Sequence, residues 1–531
     1  MATYAEPRAA VLPKAAAHVS SAVRRWPIIG ILALQALVSV VALRNTAFQD
    51  EALYLYAGRQ IIHHWGGGPS PLSDYAFYFS GYPYVYPVIG GFFEMVGGLE
   101  LARDFSVACM LGVTTIGYLV TLKLFGQRAA IFAAATYAST GVVLFVGRLA
   151  TYDALCLFLV ALATGLAVHG GMSRRPWAVL LVGPAVVLAV LAKYAALLLV
   201  LPVCALLVCV SIPFLGWWPA IRRLALAAAS LTVSLAVAYE VMDKAAFHAI
   251  SGSTTNRAVG SKEPRLALLS HVLAEGGAIY LLAIIGLFLS FRLSWRFRII
   301  PVALFGSSLL MPAYHVYMQE PISLDKHIAY ALFFAMPLAG YALALLSGYA
   351  QGSRHGAHRG YWLAGLAVLM AIFTLGLSQA RGLFAEWPNS TTLTAALHSQ
   401  LRDGSGRILA EDIEVSQFDG ENVSEPWQWE SFYYPFYVNH AGHQLFGPPA
   451  ISQAIKDRYY NWVELSFIYL PQDAYYAAGQ MAQTRNYDLI AAILFSDSYG
   501  KGHYFLFRSA LVPGHGDFTS LAQLTKVSWV S

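Results

Sequence analysis

At 531 residues the chain could hold several soluble domains, yet only 12% of it is charged, about half the roughly 25% of a typical soluble protein. Apolar residues of the set AVILMFWYC make up 57%, and mean hydropathy is +0.55. These values exclude a soluble enzyme, a disordered chain, a coiled coil and a collagen-like fibre, and leave a polytopic membrane protein. The net charge of +5 hides two characters, because residues 381–531 carry a net −6 and the rest +11. Cationic loops at a membrane surface explain that excess without nucleic acid. Four cysteines (Cys109, Cys156, Cys204, Cys209) sit in apolar runs without a CxxC pair, as small hydrophobes in helices do.

Runs long enough to span a bilayer fall near 27–43, 105–125, 129–146, 154–170, 177–192, 195–212, 224–242, 266–290, 299–315, 329–347 and 361–378. The expected fold is therefore an α-helical polytopic membrane protein of about eleven transmembrane helices, with a small C-terminal α/β domain outside the cytoplasm. Loop charges orient it. With the N-terminus cytoplasmic, 15 of the 25 basic residues before position 381 fall inside, among them Arg174, Arg175, Arg222, Arg223 and Arg354. Of the 14 acidic residues there, 13 fall outside: Asp50, Glu51, Asp74, Glu94, Glu100, Asp104, Asp153, Glu240, Asp243, Glu263, Glu275, Glu320 and Asp325. Arg24 and Arg25 before the first run also fit a signal peptide, though Val40-Val41-Ala42 is a weak cleavage site and cleavage would not reorient later spans.

The division expected is a membrane domain over 1–379, with a long first outer loop at 44–104, and an extracytoplasmic domain over 380–531. In that loop, segments 51–64 and 87–99 have the amphipathic pattern of interfacial helices around a tyrosine-rich stretch, Tyr75 to Tyr86. In the tail, 407–410 and 487–495 are strand-like, and 448–464 and 471–485 are helical in pattern.

No phosphate-binding GxxxxGK[ST], HExxH, GxSxG or cysteine-cluster motif is present. Three outer-face groups carry chemical potential instead. Asp50-Glu51 follows the first span, where two adjacent carboxylates repel and lose hydration; they read either as a general base with a positioning partner or as helix N-terminal charges, with Asp50 as a cap. Arg148 and Asp153, in Gly147-Arg148-Leu149-Ala150-Thr151-Tyr152-Asp153, flank a short turn, where a structural salt bridge is the plain alternative. Lys193 and the pair Lys326-His327 lie at span ends, as snorkelling cations or together as a positive pocket for a lipid phosphate.

In order and spacing these motifs resemble the GT-C glycosyltransferases. The similarity is strongest to the branch of protein O-mannosyltransferases and the bacterial lipid A aminoarabinose transferase. Phe48-Gln49-Asp50-Glu51-Ala52-Leu53-Tyr54, the stretch Tyr82–Gly98 and Gly147–Leu155 look like bacterial phospholipid-carrier-dependent members, over roughly residues 25–345. The resemblance implies transfer of a sugar from a polyprenyl-phosphate carrier, with inversion, on the outer side of a bacterial plasma membrane. It would make Asp50 the general base, with Glu51 supporting it or binding acceptor, and Asp153 and Tyr152 lining the same cavity. Arg148, Lys193, Lys326 and His327 would receive the donor phosphate. Some members use a divalent metal such as magnesium or manganese, for which His63, His64 and Glu94 are the candidate ligands here. The expected partners are the polyprenyl-phosphate sugar, a glycan, lipid or protein acceptor and membrane lipids, with no nucleic acid. The tail lacks the repeat of the protein-mannosylating branch, which weakens the case for a protein acceptor. A transporter of lipid-linked sugars, and a glycan polymerase or ligase on the same scaffold, are the rival readings. A transporter should place ionisable groups near the bilayer midplane, often with inverted repeats, whereas here the acidic groups crowd one face and no repeat is visible.

Overall fold

A computed structural model of the chain describes residues 26–73, 75, 79–244, 247–248, 262–347, 358–401 and 406–525. Arg24, Arg25, Asp74 and Arg354 lie outside the described residues. By contacts the chain forms two compact units: one runs to Arg44 and resumes after Ser73 as far as Leu383, and the other joins Asn45–Ser73 to Phe384 onward.

The first unit is all helix, because apolar runs in lipid must satisfy every backbone group internally. Its helices are α1 (Trp26–Ala42), α3 (Tyr86–Phe125), α4 (Gln127–Ala138), α5 (Gly141–Arg148), α6 (Tyr152–Met172), α7 (Trp177–Ala192), α8 (Tyr194–Leu215), α9 (Trp217–Val241), α10 (Arg265–Ser290), α11 (Trp295–Met318), α12 (Leu324–Leu346) and α13 (His358–Phe384). All eleven apolar runs are helical. Among the described residues eight helices are long and apolar enough to cross a membrane, α4 and α5 pass the same test together as a pair bent by 66°, and α1 and α7 are shorter apolar helices. The expected interfacial helix 87–99 is the start of α3, separated from the span by non-helical backbone at Gly97 and at Gly98, whose φ is +69°.

The axis of this unit is α12. Its apolar window is 89% buried, against 6% for α9, whose side chains are left to face lipid. Close approach makes that burial possible: a Cβ on Gly340 of α12 would lie 2.2 Å from the Ala129 carbonyl of α4. The helix carrying Lys326 and His327 is thus the most enclosed of the bundle.

The second unit contains α2 (Gln49–Trp65), α14 (Thr391–Gln400), α15 (Ile413–Asp419), α16 (Pro448–Lys456) and α17 (Pro471–Thr484). Its sheet has the order β2-β1-β5-β7-β6, with β1 (Ile408–Ala410), β2 (Trp429–Ser431) and β5 (Trp462–Leu465) parallel. Strands β6 (Tyr487–Asp497) and β7 (Gly500–Ser509) close the other edge antiparallel. A separate ribbon pairs β3 (Phe436–Val438) with β4 (Gln444–Phe446). The helical pattern at 448–464 ends early, at Lys456, where Arg458 takes a left-handed φ of +56°; Trp462–Leu465, fully buried, is a strand instead.

The first half of the long outer loop groups with this unit, whereas the sequence reading set all of 44–104 with the membrane domain. Local bonds explain it. Asn45 Nδ2 donates to the carbonyls of Phe384 and Trp387 at 2.9 and 3.0 Å, and Trp387 Nε1 donates to the Thr46 carbonyl at 3.0 Å. The Phe48 and Trp387 rings lie 5.1 Å apart. Further along, α2 packs on α15, with Gln49 bonded to Glu414 at 3.0 Å and Arg59 ion-paired to Glu421.

Candidate active site

Four of the basic and acidic residues singled out by sequence converge at one end of the first unit. Asp153 sits in the first turn of α6 and is fully buried. Its Oδ1 accepts a hydrogen bond from Lys193 Nζ at 2.7 Å, and Lys326 Nζ lies 3.9 Å from Oδ2. Thr151 Oγ1 reaches Oδ2 at 3.3 Å, and the Tyr330 hydroxyl donates to the Asp153 carbonyl at 2.9 Å. Two buried ammonium groups thus meet one buried carboxylate at the N-terminus of a helix, an end whose dipole favours an anion.

Lys193 is held there by the break between α7 and α8, where its own backbone is extended. Residues 80–82 clasp that break: Tyr194 N–H donates to the Ser80 carbonyl and Tyr82 N–H to the Leu191 carbonyl, both at 2.7 Å. Gly81 allows the contact, since a Cβ there would lie 2.2 Å from the Ala192 carbonyl. The Lys193 ammonium lies 5.0 Å from the centre of the Tyr152 ring, which meets Tyr86 edge-on at 6.4 Å. The tyrosine-rich loop therefore walls the lysine turn.

Arg148, only 1% exposed, does not pair with Asp153. Its Nη1 donates to Asp104 at 2.6 Å and its Nη2 pairs with Glu100, both on α3, while Nε has no hydrogen-bond partner among the described residues. His327 is also buried: its Nδ1 lies 2.7 Å from Nε2 of His315, whose Nδ1 lies 2.5 Å from the Glu320 carbonyl. The His327 and Tyr330 rings meet edge-on at 5.7 Å.

Asp50 and Glu51 lie in the second unit, in the first turn of α2. Phe48 holds the N-cap position, and Glu51, fully buried three residues on, accepts the Phe48 N–H through Oε2 at 2.8 Å and closes the turn. Asp50 is half-buried and faces the field of Glu414, whose own carboxyl is raised first by burial and in part by Asp50. Of the candidate metal ligands, His63 and His64 are exposed at the end of α2, and Glu94 belongs to the first unit. Among the described residues, no group of three or more His, Cys, Asp or Glu has the arrangement to hold a metal ion.

Sequence reasoning missed Tyr330, His315, Glu100 and Asp104 as site residues. Tyr330 was in reach, because it stands four residues after Lys326 on one helix face. It also missed a buried acidic group in the second unit. Glu411 is fully buried and accepts four backbone N–H bonds, from Ser466, Phe467, Tyr469 and Leu470, at 2.6–3.0 Å. Beside it, burial and neighbouring carboxylates hold Asp412 well above the usual carboxylate range and push Glu464 up to about 8.

Residues 83–239 match the model of the dolichyl-phosphate-mannose-protein mannosyltransferase family. The structure superposes on that of ArnT from Cupriavidus metallidurans bound to undecaprenyl phosphate, with a TM-score of 0.58 and 13% identity, covering 92% of this chain and 98% of that one. This is the GT-C fold. Two other GT-C structures agree: the Archaeoglobus fulgidus oligosaccharyltransferase, at TM-score 0.56, 14% identity and coverages of 91% and 75%, and the mycobacterial arabinofuranosyltransferase AftD, at 0.51, 12%, 93% and 40%. No curated protein matches the chain in sequence. The GT-C architecture is a multi-pass helical bundle followed by a small α/β region, as found here.

Proposed function

We propose that the protein is a membrane glycosyltransferase that moves a sugar from a polyprenyl-phosphate carrier to an acceptor on the outer face of a bacterial plasma membrane, with inversion. The observation that carries this reading is the Asp153–Lys193–Lys326 cluster, two buried lysines gathered on one buried carboxylate at the end of a bundle. A phosphate on a membrane-embedded prenyl tail must lie at such a depth, and two ammonium groups there favour the charge that grows on the leaving phosphate. Arg148, with Nε unbonded among the described residues, supplies a further donor. The ArnT structure with undecaprenyl phosphate supports a carrier of that class.

In this reading Asp50 takes the proton of the acceptor hydroxyl, a poor nucleophile at neutral pH. Glu51 fixes the turn that presents it. The archaeal oligosaccharyltransferase was also solved with zinc and sulfate, and a divalent metal would add to the stabilisation of the leaving phosphate that the lysines supply. Asp153 and Lys193 at a helix end, rather than at mid-span, favour the enzyme over a transporter.

The decisive experiment is consumption of a lipid-linked sugar by the purified protein, with glycan, lipid and protein acceptors tested in turn. Transfer lost in Lys193→Ala and Lys326→Ala supports the reading; transfer independent of both lysines refutes it. Orientation is tested by cysteine labelling in intact cells. Position 389 should be modified from outside and position 174 protected, and the reverse would overturn the topology.

A further inference from the structure

His327 stands next to Lys326 on the most enclosed helix, and its hydrogen-bond chain fixes which nitrogen carries a proton. The Glu320 carbonyl can only accept, so His315 Nδ1 holds the hydrogen in that 2.5 Å contact. A neutral His315 then offers only a lone pair at Nε2. In the 2.7 Å contact between the rings, His327 Nδ1 must be the donor. The remaining nitrogen of a neutral His327, Nε2, is therefore an acceptor.

A phosphodiester oxygen also only accepts. Neutral His327 thus opposes it, whereas imidazolium presents an N–H through Nε2 while Nδ1–H stays bonded to His315 in both states. From this chain we infer that His315 is a positioning residue that holds His327 ready to take up a proton as the carrier phosphate binds. The inference rests on the donor reading proposed above and deepens it, by making His327 a proton-gated donor to the phosphate rather than a fixed cation.

Several groups share this field. On its own helix are Asp325, Lys326 and Tyr330, and from α11 and the turn after it come His315 and Glu320. Asp153 and Lys193 lie beyond Lys326, Asp325 pairs with His271 of α10 near Glu275, and Arg148 with Glu100 and Asp104 completes the charged end. Imidazole is the side chain whose ordinary charge change falls between about pH 5 and 8, and His327 is the imidazole next to Lys326.

The test uses the full-length protein in nanodiscs and radiolabelled undecaprenyl phosphate as probe. The ratio of the His327→Gln to the wild-type dissociation constant cancels the titration of the phosphate itself. That ratio should be about tenfold or more at pH 6 and approach one by about pH 8.5, because only imidazolium makes the charge-assisted bond. His315→Leu should weaken binding about tenfold at pH 7. His315→Gln should stay near wild type, since the amide can donate to the Glu320 carbonyl and accept from His327 Nδ1. A ratio that does not change with pH, or Leu and Gln variants that behave alike, would overturn the inference. If His315→Leu does not fold, the wild-type ratio and the Gln variant still decide. If the wild-type protein binds no undecaprenyl phosphate while remaining folded, the donor reading falls, and this inference with it.

Discussion

Buried carboxylates occur in both units, and the chain treats them in opposite ways. In the first unit Asp153 is matched by two lysines. In the second, Glu411, Asp412 and Glu464 are buried together; Glu411 is satisfied by backbone N–H groups, while burial and like charge raise the carboxyls of its neighbours. The lesson concerns what each arrangement lacks. A carboxylate enclosed by peptide N–H groups is finished, and it ties the end of β1 to the turn after β5. A carboxylate met by lysine side chains is held by groups that also bind anions.

The contrast can be broken most severely at Asp153. Asp153→Asn removes the carboxylate paired with the buried Lys193, which should cost about 3–5 kcal/mol in stability and abolish transfer. Thermal denaturation in detergent with a parallel assay would show both, and a stable, active variant would mean that the lysines are solvated.

Asp50 and Glu51 sharpen it next. Because Glu51 already closes the first turn of α2, Asp50→Asn should leave the melting temperature unchanged while reducing turnover roughly 10²–10⁴-fold. Glu51→Gln should show the converse, a loss of about 1 kcal/mol in stability with a smaller effect on turnover. Equal turnover of Asp50→Asn and wild type would move the search for the base to Asp153.

For the second unit, Glu411→Gln loses the charge behind four hydrogen bonds and should destabilise that unit by about 2 kcal/mol, read as a shift in the denaturant midpoint at constant slope.

A last effect is in pH. With its pKa raised to about 8, Glu464 binds a proton in the folded state that the unfolded chain releases at an ordinary carboxylate pKa. Its contribution to stability is complete in acid and is lost as pH rises toward about 8. Glu464→Gln should flatten that decline, so the variant should exceed wild type in stability above pH 8 and not below pH 5. Parallel pH profiles for the two proteins would contradict the buried neutral carboxyl.

The spans were legible because a bilayer demands long apolar runs, and eleven such runs became eleven helical segments or bent pairs. The 66° bend between α4 and α5 was not, since only Ser139 and Thr140 interrupt an apolar stretch there. Two acidic dipeptides, Asp50-Glu51 and Glu411-Asp412, look alike in sequence. What separates them is tertiary structure, which brings the N–H groups of 466–470 from 55 to 59 residues away to enclose Glu411. The convergence of Arg148, Asp153, Lys193 and Lys326 at one end followed from topology. Their pairing did not, because Arg148 takes Glu100 and Asp104 and leaves Asp153 to the lysines.

The clasp between residues 80–82 and the α7–α8 break has a mechanical consequence. Two peptide hydrogen bonds and a glycine with no room for a methyl group make the tyrosine loop and the Lys193 backbone one solid piece. Any displacement of Tyr82 is therefore transmitted to the ammonium that faces Asp153, and the loop can report on, or set, the reach of that lysine without touching it.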